Sequence, residues 1–175
     1  MNNLIRLIDG VPSIVENDPW CLLADNLVPR SAAPLILPLN AWLERQDENV
    51  LRGERFSREG VCLAPDDEVE SLQAYLPIVP LIAIDFPSFR DGRGYSQAYL
   101  LRMRLGWQGE LRAVGDVLRD QLSHMRQCGF DAFAVRADKS VEDALKGLAG
   151  MSVLYGRSAI EPRPLFRRRA EGRQG

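Results

Sequence analysis

The sequence predicts an α/β fold, a mainly parallel sheet with crossover helices on its faces. Short β-branched or aliphatic runs alternate with helical stretches along most of the chain. The runs starting at Leu35, Val61, Leu81, Leu111 and Phe130 are each separated from the next by a helix signal, which calls for parallel strands joined by right-handed crossovers. With 175 residues, 46% hydrophobic and 26% charged, the chain is long enough for one ordinary core. A doubly wound open sheet is favoured. A partial βα barrel is the alternative, because the later units are short and regular, and the chain is too short for eight units.

The elements follow in order. Leu4–Ile8 alternates and meets the turn signal Asp9-Gly10. Trp20–Ala24 is a second apolar run, and the two can form a hairpin-like cap or an edge of the sheet. Pro12, Pro19, Pro29, Pro34 and Pro38 keep this region rich in loops. Leu35-Ile36-Leu37 reads as a strand, with Asn40 capping a helix that carries Trp42 and Leu43. Val61–Ala64 is the next strand. Asp67 and Glu70 have capping-box spacing before a helix with Val69, Leu72 and Leu76 on one face. Leu81–Asp85 is a continuous apolar strand ending in an acid. Ser96–Leu105 is a helix closed by Gly106. Leu111–Val114 runs into Gly115-Asp116, and Asp116 can cap a helix with Leu118, Leu122 and Met125 facing inward, closed by Gly129. Phe130–Val135 is a strand. Ser140 and Asp143 form a second capping box, and Met151–Tyr155 is a closing strand.

One domain is expected over 1–161, with a basic tail over 162–175. Five arginines (Arg163, Arg167, Arg168, Arg169, Arg173) against Glu171 make the tail +4. The net charge of −2 then leaves the body at −6. Disorder is the favoured reading of this tail, and contact with an acidic partner is the other.

Composition and motifs exclude several functions. No apolar run approaches the roughly 20 residues of a membrane span. The N-terminus does not have the pattern of a signal peptide, so a cytoplasmic location and no membrane partner are expected. Cys21, Cys62 and Cys128 are far apart and form no C-x-x-C pair, and His124 is the only histidine. No metal site is therefore expected. Three scattered cysteines fall short of an iron–sulfur cluster. Gly92-x-Gly94 lacks the third glycine of a dinucleotide fingerprint. No cofactor is expected. The acidic body and the lack of a basic–aromatic pattern count against nucleic acid.

Parallel α/β folds bind ligands beyond the carboxyl ends of their strands. Those ends hold Asp85, the segment Asp91–Gln97, Asp116 and Arg136. Asp85 and Asp116 are the candidate catalytic carboxylates, and Asp116 is equally explained as a helix cap. In Asp91–Gln97, two glycines flank an arginine at a helix start, where free N–H groups and the helix dipole favour an anion. Arg93, Gly94, Tyr95, Ser96 and Gln97 are the candidate anion-binding residues, with Arg136 as a second contact. The competing reading pairs Arg93 with Asp85, Asp91 or Asp116. Nucleophilic catalysis has little support, because Ser123 and His124 are helix neighbours and no G-x-S-x-G occurs.

Three strings carry a family resemblance: Phe86-Pro87-x-Phe89-x-Asp91-Gly92-Arg93-Gly94-Tyr95-Ser96-Gln97, Gly109 to Gln121, and Met125-Arg126-x-Cys128-Gly129-Phe130-Asp131-Ala132-Phe133. The chain resembles the domain of unknown function 934 family over its C-terminal two-thirds. Members of that bacterial family are often labelled oxidoreductases of sulfite reduction, through gene neighbourhood with the assimilatory sulfite reductase hemoprotein. The resemblance implies a pathway and carries over no catalytic residue. Three functions stand as expectations. The first is an accessory protein of assimilatory sulfite reduction that binds the hemoprotein or serves its supply of substrate or electrons. The second is a small α/β enzyme acting on an anionic metabolite, with Asp85 or Asp116 as general base and Arg93 as anion clamp. The third is a structural interaction module.

Overall fold

Asp9 and Gly10 both take positive φ, 51° and 78°, the backbone of a two-residue primed turn. That turn joins Leu4–Ile8 (β1) to Val11–Val15 (β2) as an antiparallel hairpin. The computed structural model describes residues 2–23, 33–52, 59–149, 158–159 and 161. The further strands are Cys21–Leu22 (β3), Leu35–Pro38 (β4), Gly60–Leu63 (β5), Leu81–Phe86 (β6), Glu110–Gly115 (β7) and Ala132–Ala134 (β8). The helices are Leu39–Arg52 (α1), Arg93–Tyr99 (α2), Leu122–Cys128 (α3) and Val141–Ala149 (α4). A π-helical stretch, Leu100–Arg104, continues α2. The predicted strand Met151–Tyr155 and the basic tail 162–175 lie outside the described residues.

All eight strands form one sheet, in the order β2-β1-β8-β7-β6-β5-β4-β3. The pairs from β3 to β8 are parallel, and β1 joins β8 antiparallel. The α/β class and the mainly parallel sheet stand. Within that class the strand order selects the partial barrel over the doubly wound sheet. A doubly wound sheet reverses its order at a switch point, whereas β4 to β8 follow one another without reversal. Right-handed crossovers in one direction put every helix on one face. Trp42, Ala98, Leu122, Met125, Ala144 and Leu148 accordingly share one core with Leu37, Leu63, Ile82, Ile84, Leu111, Ala113 and Phe133.

The curl of the sheet follows from a length argument. Eight strands at roughly 4.8 Å spacing span about 34 Å when flat. β2 and β3 lie at opposite edges, yet the chain from Val15 to Cys21 reaches about 21 Å at most. The edges must bend toward each other, and residues 16–20 strap the concave face, which carries no helix among the described residues. That face carries Leu4, Ile36, Leu81, Ala83, Val114, Ala132 and Ala134, packed with Val15, Trp20, Leu22 and Cys62. Beneath the strap lies Arg112, fully buried, whose two terminal nitrogens bond Asp18 at 2.8 and 3.0 Å. Glu110 accepts a further bond at 2.6 Å and is itself paired with Arg6.

Several local expectations are refined. Val69–Leu72 is a single 3-10 turn, and Asp67 accepts the Ala64 N–H at 2.7 Å without capping a helix. Asp116 also caps no helix. The 3-10 turn Arg119–Gln121 leads into α3, with the Leu118 N–H bonded to Gln121 Oε1. Ser140 does cap α4, accepting the Asp143 N–H at 3.1 Å. Gly106 and Gly129 close their helices at positive φ.

Candidate functional site

The carboxyl ends of β5, β6 and β7 converge on one rim of the half-barrel. Asp85 shares its face of β6 with Leu81 and Ala83, so its carboxyl stands on the concave side. Cys62, one strand away, points to the same face, because its register partner is Ala83. Burial pushes the Cys62 thiol up to about 12, with Asp85 and Asp67 adding repulsion, so it is an inert neutral group at neutral pH. Burial, then repulsion from Asp91, raises Asp85 above the ordinary carboxylate range, partly offset by a bond from the Phe86 N–H. Asp85 has no ion pair among the described residues.

Gly115 makes room for this carboxyl. Its φ is +90°, and a methyl group there would stand 2.4 Å from Phe86 O and 2.5 Å from Asp85 Oδ1. Asp116, next in sequence, has a different environment. It accepts the Phe89 N–H at 2.9 Å and Arg136 Nη1 at 2.7 Å. Those two bonds hold its carboxyl below the usual range.

In the glycine-arginine segment, the chain's own acids occupy the Arg93 guanidinium and its backbone N–H. Asp91 accepts the Arg93 backbone N–H at 3.1 Å and two guanidinium nitrogens at 3.0 and 2.6 Å. These contacts pull Asp91 down to about 2. Asp66 takes the other terminal nitrogen of Arg93. Of the three partners the sequence allows for Arg93, the structure selects Asp91. Asp66 has no local sequence signal, since it lies on another loop.

The remaining candidates divide between surface and core. Gly94 is buried because α2 lies directly on β6; a methyl group there would meet the Phe86 ring at 2.7 Å. Tyr95 packs on Phe86, and its hydroxyl accepts Gln121 Nε2 at 3.1 Å. Gln97 turns inward and donates to the Ala64 and Asp67 carbonyls at 2.8 and 3.0 Å. Ser96 is exposed. Arg136 bonds Asp138 at 2.6 and 3.0 Å as well as Asp116. Asp85 near the end of β6, Arg93 at the start of α2, and Asp91, Asp116 and Arg136 on the loops thus gather at one end of the sheet, and each arginine bridges two carboxylates.

Sequence reading missed the aromatic side chain among these loops. Phe89 is 46% exposed, with the Arg90 guanidinium 5.3 Å from its ring centroid. Its backbone is clamped at both polar atoms, N–H to Asp116 and carbonyl to Gln121 Nε2. Among the described residues no group of three or more His, Cys, Asp or Glu side chains could hold a metal ion. No helix of the described residues is long and apolar enough to cross a membrane. Residues 60–166 match the model of a family described as a bacterial protein of unknown function, DUF934. No curated protein and no solved structure matches the chain.

Proposed function

The chain belongs to that bacterial family, and from this premise we propose that it is an accessory protein of assimilatory sulfite reduction, docking on the sulfite reductase hemoprotein. The observation that carries the reading is the pairing of the rim arginines. Arg93 and Arg136 are each satisfied by two of the chain's own carboxylates. A small oxyanion would have to displace one of them. A protein surface need not, because it can meet a mixed-charge rim as it stands. Phe89, exposed on a backbone clamped at both ends, is the kind of rigid aromatic anchor that interfaces are built around.

The experiment is a calorimetric titration of the full chain into the purified hemoprotein. Saturable binding in the micromolar range is expected, weakened at least about tenfold by Phe89→Ala, as for an anchor worth more than ~1.4 kcal/mol. No detectable binding at high micromolar concentration overturns the reading.

A second reading, an enzyme acting on an anionic metabolite, is favoured by Asp85. This carboxyl is half-buried, lacks a cationic partner among the described residues and has a raised proton affinity. Those are properties of a general acid or base. In that reading sulfite, sulfate or phosphate binds the wild type. Arg93→Ala then weakens binding about ten- to a hundredfold, the loss of a charge-assisted bond of roughly 1.5–3 kcal/mol. Docking alone predicts no saturable heat with any of the three anions.

A further inference from the structure

We propose that His124 and Cys128 form a two-donor chelate for a borderline-soft divalent cation such as zinc, on α3 and apart from the rim carboxylates and arginines. Positions four apart on a helix share a face, and this spacing is the one by which two histidines on one helix hold zinc in the H-E-x-x-H pattern. Here a thiol replaces the second imidazole. His124 Nε2 stands 3.9 Å from Cys128 Sγ. Zinc bonds of about 2.3 Å to sulfur and 2.0–2.1 Å to nitrogen, at a tetrahedral angle, place the donors roughly 3.5 Å apart. Closing that gap takes a small side-chain rotation and no backbone change. His124 is exposed, while Cys128 is half-buried and packs partly on the core, so the cation reaches the pair from the imidazole side.

The imidazole is already supported on its other side. The Tyr95 ring packs on it, with centroids 4.6 Å apart. Gln121 holds the Tyr95 hydroxyl and is itself anchored on the Phe89 carbonyl. This packing restricts rotation of the imidazole ring beside the sulfur. On binding, the thiol proton leaves to solvent and the thiolate takes its place as ligand, so affinity rises with pH. Water, or a group from a docked partner, fills the remaining coordination positions. The sequence gives no expectation of a metal site, and the described residues hold no group of three or more donors, so the proposed site rests on the geometry of this pair alone.

The test uses cobalt(II) as a spectroscopic stand-in for zinc, added to the full chain. A near-ultraviolet thiolate-to-cobalt band is expected that strengthens from pH 6 to pH 8. Cys128→Ser should abolish it. His124→Ala, at an exposed position and with its fold checked by far-ultraviolet dichroism, should weaken binding at least about tenfold, because the chelate loses an arm. Cys21→Ser and Cys62→Ser should each leave the band unchanged. A band that survives Cys128→Ser, a His124→Ala variant that binds as well as wild type, or no band at about 1 mM cobalt would each overturn the chelate.

Discussion

At Gly115 a single hydrogen atom decides whether Asp85 has room beside the end of β7. Gly115→Ala places a methyl group against backbone oxygen and forces a non-glycine residue to φ +90°. A loss of roughly 2–4 kcal/mol is expected by chemical denaturation, from backbone strain and overpacking together. A loss under about 0.5 kcal/mol would show that the close approach is not needed. Asp131 gives a second residue-scale prediction. It accepts the Leu111 N–H and pairs with Arg102 at 3.0 Å, yet burial pushes its carboxyl up to about 6 from 3.8. Between those values the folded state holds more protons than the unfolded chain, so stability falls as pH rises through the window. In Asp131→Asn this slope should be absent. Denaturation midpoints at pH 4, 5, 6 and 7 check it, and an unchanged slope would assign the dependence elsewhere.

Among the elements, the strap over residues 16–20 has the largest energetic consequence. It brings Asp18 under the sheet centre, where Arg112 is 0% exposed. Burial acts against both charges, and the Asp18–Arg112 bonds outweigh it enough to lower Asp18 and raise Arg112. Asp18→Ala removes two charge-assisted bonds and leaves buried Arg112 balanced by Glu110 alone of its two acidic partners, so it should cost about 3 kcal/mol, the low end for a broken buried pair. Replacing both partners with apolar residues, Asp18→Leu with Arg112→Met, should cost far less than Asp18→Ala alone. Equal losses in both proteins would mean that the strap is held by packing of Trp20 and Val15. The pair was poorly legible from sequence, since ninety-four positions separate its members. One clue was present: arginine in the middle of Leu111-Arg112-Ala113-Val114 is a charge in a run that reads as a buried parallel strand. The helix signals were more legible, because Ser140, Gly106 and Gly129 act on the backbone within a few residues of themselves. Asp116 reads as a cap by the same logic, but Phe89 and Arg136 from other loops compete for its carboxylate and win.

The whole molecule is a curled sheet whose two edges are tied by one short segment. Trp20 lies on the concave face, Trp42 under the helices, and Trp107 beyond the π-helical stretch. Because the strap couples the edges, thermal unfolding followed by tryptophan fluorescence and by far-ultraviolet dichroism should give one coincident transition. Two separated midpoints would show that the hairpin and strap melt independently. By itself the sequence determined the α/β class and five parallel strands, with an α-helix in three of the four connections between them and only a 3-10 turn between β5 and β6, because periodicity and capping are local and survive without knowledge of neighbours. It also placed Asp85, Arg93, Asp116 and Arg136 at one end of the sheet, since strand direction alone assigns carboxyl ends. Tertiary structure decided what those groups meet: Asp91 and Asp66 on Arg93, Asp138 and Asp116 on Arg136, and no cation on Asp85 among the described residues. It also decided between the open sheet and the half-barrel. Partner choice and curvature both depend on which distant segments share a face, and here a chain too short to cross a flat sheet made the sheet bend.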